Sequence, residues 1–489
     1  MTFSKFNHSE YEEEINVLLY LSLSEHKRDR IESIVKHLCA VLTLAAFIVA
    51  VTFMNVNRWT PEVSDYGPKT ELAFFIIGLV PYLSIPVAIL NCFGILFYNP
   101  FYKTNRILPK LSSVPFLCLR IVTRGDMPDF VIRNAKYNRD LCLNLGLQHF
   151  MVEIVTDKPV NCQEKDRIRE IVVPKGYSTK NGSLYKARAL NYCLESHVNL
   201  LAGNDWIVHL DEETLLTEAS VSGILHFVTD GSGDIGQGPI SYANGKIINN
   251  WITTLADSVR LAMDYSLFRF QFAFLNRPVF GFKGSYVVVR NNVEMEVGLD
   301  NGPDGSIAED CFFALKAWSK GYKFEFITGE MLEKSPFTLK DFIRQRRRWF
   351  VGQFYTVLSK EIPLVYKLGI CSSIICCILM PISLSNVYID SFYPMHRPLI
   401  CSLLNGLVGG TFGFLYCFGA FVSCSGRNWS LIRRIFISLS CCVLIVPIAA
   451  AMESIAAYWG LMTLNSNEFF IVQKEIPKRV QPTGHSKIM

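Results

Sequence analysis

Four groups of residues in this chain have the types and spacing that chemistry requires. Asp157 closes the apolar run 149–156, and Asp211-Glu212-Glu213 closes the apolar run 205–210. Glu309-Asp310 precedes the amphipathic run 311–318, and Gln345-Arg346-Arg347-Arg348-Trp349 lies shortly before apolar spans that begin near Leu364. Carboxylate oxygens suit hard divalent cations such as Mg2+ or Mn2+, which bridge phosphate groups. Arginine forks donate paired hydrogen bonds to a diphosphate. A further carboxylate can take the proton of an attacking hydroxyl. These are the parts needed to move a group from a diphosphate leaving group to an acceptor beside a membrane.

Each signal has an ordinary competitor. Asp211-x-Glu213 would ligate the cation, but it also reads as a solvated acidic turn or as the N-cap of a helix over 214–219. Glu309-Asp310 at a helix start is explained by capping and the helix dipole. Transfer with inversion nevertheless needs one base, and Asp310, after Gly302-Pro-Asp-Gly-Ser-Ile-Ala308, is the candidate, with Glu309 assisting or holding backbone. Gln345 and Arg348 share a helix face, and Trp349 can pack at the interface or beneath a sugar. The alternative is a basic patch on anionic lipid, the role expected of Arg346 and Arg347. Gly284-Ser285 allows close backbone approach to an acceptor or sugar, or is a simple turn. Lys186 meets phosphate or faces solvent. His209 lacks metal-site partners and is expected to pack in the core.

These residues need a scaffold that brings strand ends together. Strands are predicted over 114–122, 149–156, 168–174 and 205–210, with helices over 130–145 and 187–196. Such alternation implies a Rossmann-like, mainly parallel sheet. Ligands gather beyond the carboxyl ends of its strands. The turn at Thr123, Asp157 and Asp211 each stand at such an end and are expected to converge on one pocket.

The 489 residues exceed a single domain, and their mean hydropathy of +0.25 conceals strong segregation. Apolar spans are expected at 37–56, 72–98, 364–389, 399–424 and 432–462, with Pro81 and Pro86 kinking the second. Glu453, inside the last, should face other helices or the bilayer edge. The expected organisation is a cytosolic segment 1–36, two membrane helices in 37–98, a cytosolic block 103–360, about three membrane helices in 364–462 and a tail 463–489. Lys27, Arg28, Arg30 and Lys36 before the first span, and Lys103, Arg106 and Lys110 after the second, place the block in the cytosol. The basic tail over 474–487 contradicts the parity of five spans. A cleaved signal peptide does not fit the late first span. The net charge of +5 is modest and its basic residues flank membrane spans, which makes nucleic-acid binding a poor reading. Fifteen cysteines without metal-ligand spacing are expected to be reduced, and the sequons at Asn7, Asn181 and Asn428 unglycosylated.

Asp157, Asp211-x-Glu213, Glu309-Asp310 and Gln345-x-x-Arg348-Trp349, in that order, resemble the family 2 processive-type glycosyltransferases, which include the cellulose, hyaluronan and glucosylceramide synthases. The usual Asp-x-Asp metal motif has Glu213 at its second position here. Stretches at 209–218, 250–260, 283–288, 305–310 and 333–339 are similar to the egghead-type invertebrate β-1,4-mannosyltransferases. The resemblance implies a multi-pass α-helical membrane protein with a cytosolic α/β catalytic domain of GT-A type. It implies inverting transfer of mannose from GDP-mannose to glucosylceramide, at the endoplasmic reticulum or Golgi, with Mg2+ or Mn2+. It assigns Thr123, Asp157 and Lys186 to the nucleotide, Asp211 and Glu213 to the metal, and Asp310 to the base. Gln345, Arg348 and Trp349 would close over diphosphate and acceptor, with Gly284, Ser285 and Glu309 on the acceptor side. The rival readings are a processive polysaccharide synthase, or a glucosyl or N-acetylglucosaminyl transferase to lipid. A transporter or receptor is disfavoured because few charges lie inside the spans.

Overall fold

The computed structural model describes residues 8–56, 67–102, 109, 111–163, 166–243, 248–393 and 398–464. The sequon at Asn7, the basic residues Lys103, Arg106 and Lys110, and the tail over 474–487 lie outside these. Three helices come first: α1 (His8–Val56), α2 (Pro68–Leu79) and α3 (Ile85–Phe97). The expected kink between α2 and α3 is a 3-10 turn, Val80–Ser84. Pro81 lies in that turn and Pro86 opens α3, each lacking the amide a continuous helix would use.

Among the described residues nine strands follow: β1 (Leu117–Thr123), β2 (Phe150–Thr156), β3 (Ile168–Val172), β4 (Trp206–Asp211), β5 (Ile235–Gln237), β6 (Ile240–Ser241), β7 (Val287–Arg290), β8 (Phe324–Phe326) and β9 (Met331–Leu332). Seven form one sheet in the order β3-β2-β1-β4-β7-β5-β8, and β6 pairs with β9. The first four are mutually parallel and only β7 runs against its neighbours. The register aligns Thr123 with Thr156 and Val122 with Asp211, so three carboxyl ends finish at one level.

Alternate residues of these strands point to opposite faces. Leu119, Ile121, Val152, Ile154, Val208 and Leu210 pack one face against α4 (Pro128–Asn144) and α6 (Glu218–Asp230). Cys118, Ile207, Val287 and Val289 pack the other against Leu190 of α5 (Tyr185–Tyr192), Phe272 and Phe313. The second face also buries Arg120, paired with Glu153 at 2.9 Å and Glu294 at 3.1 Å. His209 meets Glu294 at 2.6 Å, so it belongs to this interior network.

α6 begins later than expected. Its cap is Thr217, whose hydroxyl accepts the Ser220 amide while the Ser220 hydroxyl accepts the Thr217 amide. The reading of Asp211-Glu213 as an N-cap therefore fails, because residues 212–217 are a loop and bridge.

The chain continues through α7 (Trp251–Met263), a π-helical turn (Asp264–Phe268), α8 (Arg269–Ala273), α9 (Asn291–Val297), α10 (Glu309–Ser319) and α11 (Leu339–Leu358). The C-terminal helices are α12 (Leu364–Phe392), α13 (Leu399–Ser423), α14 (Leu431–Ser440) and α15 (Val446–Met462), the last two joined by a π-helical turn. Among the described residues, five helical segments are long and apolar enough to cross a membrane: Lys27–Val56, Pro68–Phe97, Leu364–Asn386, Leu399–Ser423 and Leu431–Met462. Apolar side chains such as Leu42, Phe53, Ile76, Leu368 and Val443 lie on their outer surfaces. This makes the chain a membrane protein with a mainly parallel α/β unit between its second and third spans.

Candidate active site

The site forms where β1, β2 and β4 end. Thr123, the last residue of β1, donates its hydroxyl proton to Glu212 at 2.5 Å and accepts the Gly125 amide at 3.0 Å. Asp157, just beyond β2, pairs with Arg188 of α5. Lys186, two residues earlier on α5, is the hub. Its Nζ donates to Asp211 Oδ1 at 2.6 Å and to the Gly284 carbonyl at 2.9 Å, and lies 3.7 Å from Glu309 Oε1. The solvent-facing reading of Lys186 is thereby replaced. Burial alone would lower its ammonium, but the charges of Asp211 and Glu309 outweigh that and hold it above its ordinary value.

Glu309 and Asp310 open α10 beside this lysine. Burial, and then the adjacent Asp310 charge, push Glu309 up to about 7 against the pull of Lys186 and Arg348. Burial also raises Asp310, opposed by the Cys311 amide, which donates to its Oδ1 at 2.7 Å, and by the charges of Lys186 and Arg348. Gly284 is the wall opposite. A Cβ there would stand 2.9 Å from Asp310 Oδ2 and 3.4 Å from Glu309 Oε1, so a side chain at this position would push the Asp310 carboxylate aside.

The loop bearing Gly284 is anchored by Lys283, whose Nζ donates to Asp264 at 2.7 Å and to the Gly238 carbonyl at 3.1 Å. Ser285 departs from the expected acceptor role. It is buried, and its hydroxyl bonds the Thr214 hydroxyl at 2.8 Å and accepts the Asp211 amide at 3.4 Å. Thr214 in turn donates to Glu333 at 2.8 Å. Ser285 thus sets the direction of the Asp211 backbone.

α11 brings the Gln-Arg-Trp residues in from the membrane side. Thr338 caps it by accepting the Asp341 amide at 3.0 Å. It lies close to the Glu309-Asp310 turn because Gly352 faces Ala308, where a Cβ would come within 2.6 Å of the alanine methyl. Arg348 acts electrostatically on both carboxylates, and buried Gln345 accepts from Arg346 at 3.2 Å. Trp349 is partly exposed, with the guanidinium carbons of Arg346 and Arg260 at 4.3 Å and 4.4 Å from its ring centroid. The expectation that Arg346 and Arg347 lie on lipid is corrected. Both are buried, Arg346 with Asp257 and Glu453, Arg347 with Thr463 and the Trp459 ring. A buried guanidinium needs compensating carboxylates or carbonyls, and the fold supplies them.

Lys186, Asp211, Gly284, Glu309, Asp310 and Arg348 therefore share one cluster, flanked by Thr123 and Asp157 on the β1–β2 side and by Gln345 and Trp349 on α11. Glu212, Arg188 and Lys283 are additions. Arg188 follows Lys186 in the same Lys-Ala-Arg stretch, and Lys283 precedes Gly284; adjacency was the only signal for either.

Among the described residues, no three His, Cys, Asp or Glu side chains are grouped to hold an ion unaided. After β4 stand Asp211, whose side chain is 40% exposed and bonded by Lys186, Glu212, which accepts from Thr123, and buried Glu213. A hard cation held by one or two carboxylates completes its shell with substrate phosphates and water. This donor set fits an ion that binds together with a diphosphate.

Residues 206–454 match the glycosyl transferase family group 2. The Drosophila melanogaster protein named beta-1,4-mannosyltransferase egh is 44% identical over 425 residues, which cover 87% of this chain and 92% of that one. The Caenorhabditis elegans protein named beta-1,4-mannosyltransferase bre-3 is 40% identical over 450 residues, covering 90% and 98%. The mainly parallel sheet with acidic residues beyond its strand ends is of GT-A type. With that sheet and these relatives, the chain belongs to the family 2 glycosyltransferases and is a membrane-associated hexosyltransferase.

Proposed function

We propose that this enzyme is an inverting β-1,4-mannosyltransferase that moves mannose from GDP-mannose to the glucose of glucosylceramide, at the cytosolic face of the endoplasmic reticulum or Golgi membrane. The names of the fly and worm relatives support the mannosyl transfer. The observation that carries the reaction class is the meeting of Lys186, Asp211, Glu309 and Asp310 beyond the strand ends.

In the single displacement, the acceptor hydroxyl oxygen attacks the anomeric carbon as the bond from that carbon to the diphosphate breaks. Asp310 takes the hydroxyl proton, and the nucleoside diphosphate leaves with the bonding electrons. One displacement inverts the anomeric centre. Lys186 and Arg348 place positive charge where the leaving group becomes more negative. A bound Mg2+ or Mn2+ held by Asp211 and Glu213 would supply further charge neutralisation to the diphosphate. Thr123 and Asp157 border the nucleotide, and Gly284, Glu309 and Trp349 border the acceptor. The basic residues before the first span support the cytosolic orientation.

The test offers purified enzyme in lipid nanodiscs a panel of labelled nucleotide sugars with ceramide-linked acceptors. The expected product is a lipid-soluble mannosyl disaccharide formed from GDP-mannose and glucosylceramide. A water-soluble polymer, or transfer of glucose or N-acetylglucosamine in place of mannose, overturns the assignment.

A further inference from the structure

Arg346 carries a charge that the displacement does not use, yet it is 5% exposed. Its Nε donates to Glu453 at 2.6 Å, its Nη2 meets Asp257 of α7, and its Nη1 donates to Gln345 at 3.2 Å. Its guanidinium lies against Trp349, at 4.3 Å, and Phe342, at 4.2 Å. Arg260, 3.9 Å from Asp257, reaches the same indole at 4.4 Å and the Tyr242 ring at 4.8 Å. Two arginines and two carboxylates thus balance around one tryptophan.

Glu453 is the member from the membrane. It lies within α15, in the last segment long and apolar enough to span. A carboxylate is expensive in such a helix unless an interior partner compensates it. Here the partner sits on the helix that also carries Gln345, Arg348 and Trp349.

We propose that Glu453 is a positioning residue for acceptor capture. Through Arg346 it ties the last span to α11 and fixes the plane of Trp349, against which the sugar of a membrane-anchored glycolipid rests. This inference rests on the acceptor-side reading of Trp349. A cation held on one side by a carboxylate of the last apolar span and on the other by Asp257 cannot slide along the ring. Removing the Glu453 charge frees Arg346 to follow Asp257 alone, and the indole loses its reference to the membrane.

The experiment measures glycolipid-acceptor and donor KM, and kcat, in nanodiscs for Glu453→Gln, Glu453→Asp, Trp349→Phe and the double variant Glu453→Gln/Trp349→Phe. Glu453→Gln is expected to raise acceptor KM about tenfold, with kcat and donor KM within about twofold of wild type. Glu453→Asp, which keeps the charge, should recover most of that loss. If Glu453 acts through Trp349, the two single effects on acceptor KM do not add in the double variant. Additive effects, a parallel rise in donor KM, or an unchanged acceptor KM overturn the proposal. If Glu453→Gln does not assemble, the same cycle is run with Arg346→Lys, which removes the flat guanidinium from the indole, and Trp349→Phe. A wild-type enzyme that mannosylates no glycolipid overturns the proposed function instead, so the two failures are distinct.

Discussion

Asp310 lies between Gly284, Lys186 and the Cys311 amide, and its proposed role is specific enough to break with one atom. Asp310→Asn should lower transfer about a thousandfold, within the range of general-base catalysis, while donor affinity measured by calorimetry stays within about twofold. Normal turnover would remove Asp310 from the base role. Its pH dependence has a defined sign. Burial raises Asp310, and the base works only when ionised, so kcat/KM should rise with pH along an acid limb displaced above the ordinary carboxylate range. Glu309 is a separate matter of stability. Its carboxyl is pushed up to about 7 from an ordinary 4.5. The neutral form therefore favours the fold below the ordinary value, and that contribution is lost as pH rises through about 7. Glu309→Gln stays neutral throughout, so its thermal midpoint relative to wild type should climb between about pH 4.5 and about pH 7. A pH-independent difference would contradict the buried, carboxylate-paired environment.

Among the elements, α11 is the one whose tight packing bears directly on the site. It approaches the Glu309-Asp310 turn only because position 352 has no side chain, with the Ala308 backbone nitrogen 2.8 Å from where a Cβ would be. Gly352→Ala must push α11 away from α10 and carry Arg348 with it. Overpacking of this kind costs about 1–3 kcal/mol. The expected outcome is a drop in kcat/KM exceeding the fall in thermal midpoint, since Arg348 acts on the carboxylates while most of the core is untouched. Unaltered kinetics would show that the spacing of α10 and α11 does not matter. α5 shows the opposite economy, with one short helix delivering Lys186 to Asp211 and Arg188 to Asp157.

For the molecule as a whole, the proposed diphosphate and cation sites lie beyond the carboxyl ends of the central strands, next to α11. With few carboxylates at the proposed ion site, the cation and nucleotide should bind interdependently. Activity should vanish in excess chelator and return with Mn2+ or Mg2+, and GDP affinity should fall when the ion is withheld. Full turnover in chelator would leave Lys186 and Arg348 as the whole of the charge neutralisation.

Much of this was legible in the order of residues, for local physical reasons. Apolar runs closed by Thr123, Asp157 and Asp211 announce buried strands with polar ends, and long apolar runs announce spans, since periodicity and hydropathy are properties of neighbours in the chain. The pairing partners were not legible. Lys186 finds Glu309 across more than a hundred residues, Arg346 leaves the lipid for Asp257 and Glu453, and Ser285 turns inward to Asp211. Side chains of one type have several ways to satisfy a charge or a hydroxyl. Which one prevails depends on the dielectric and the neighbours created by packing distant segments together, and no local pattern encodes that choice.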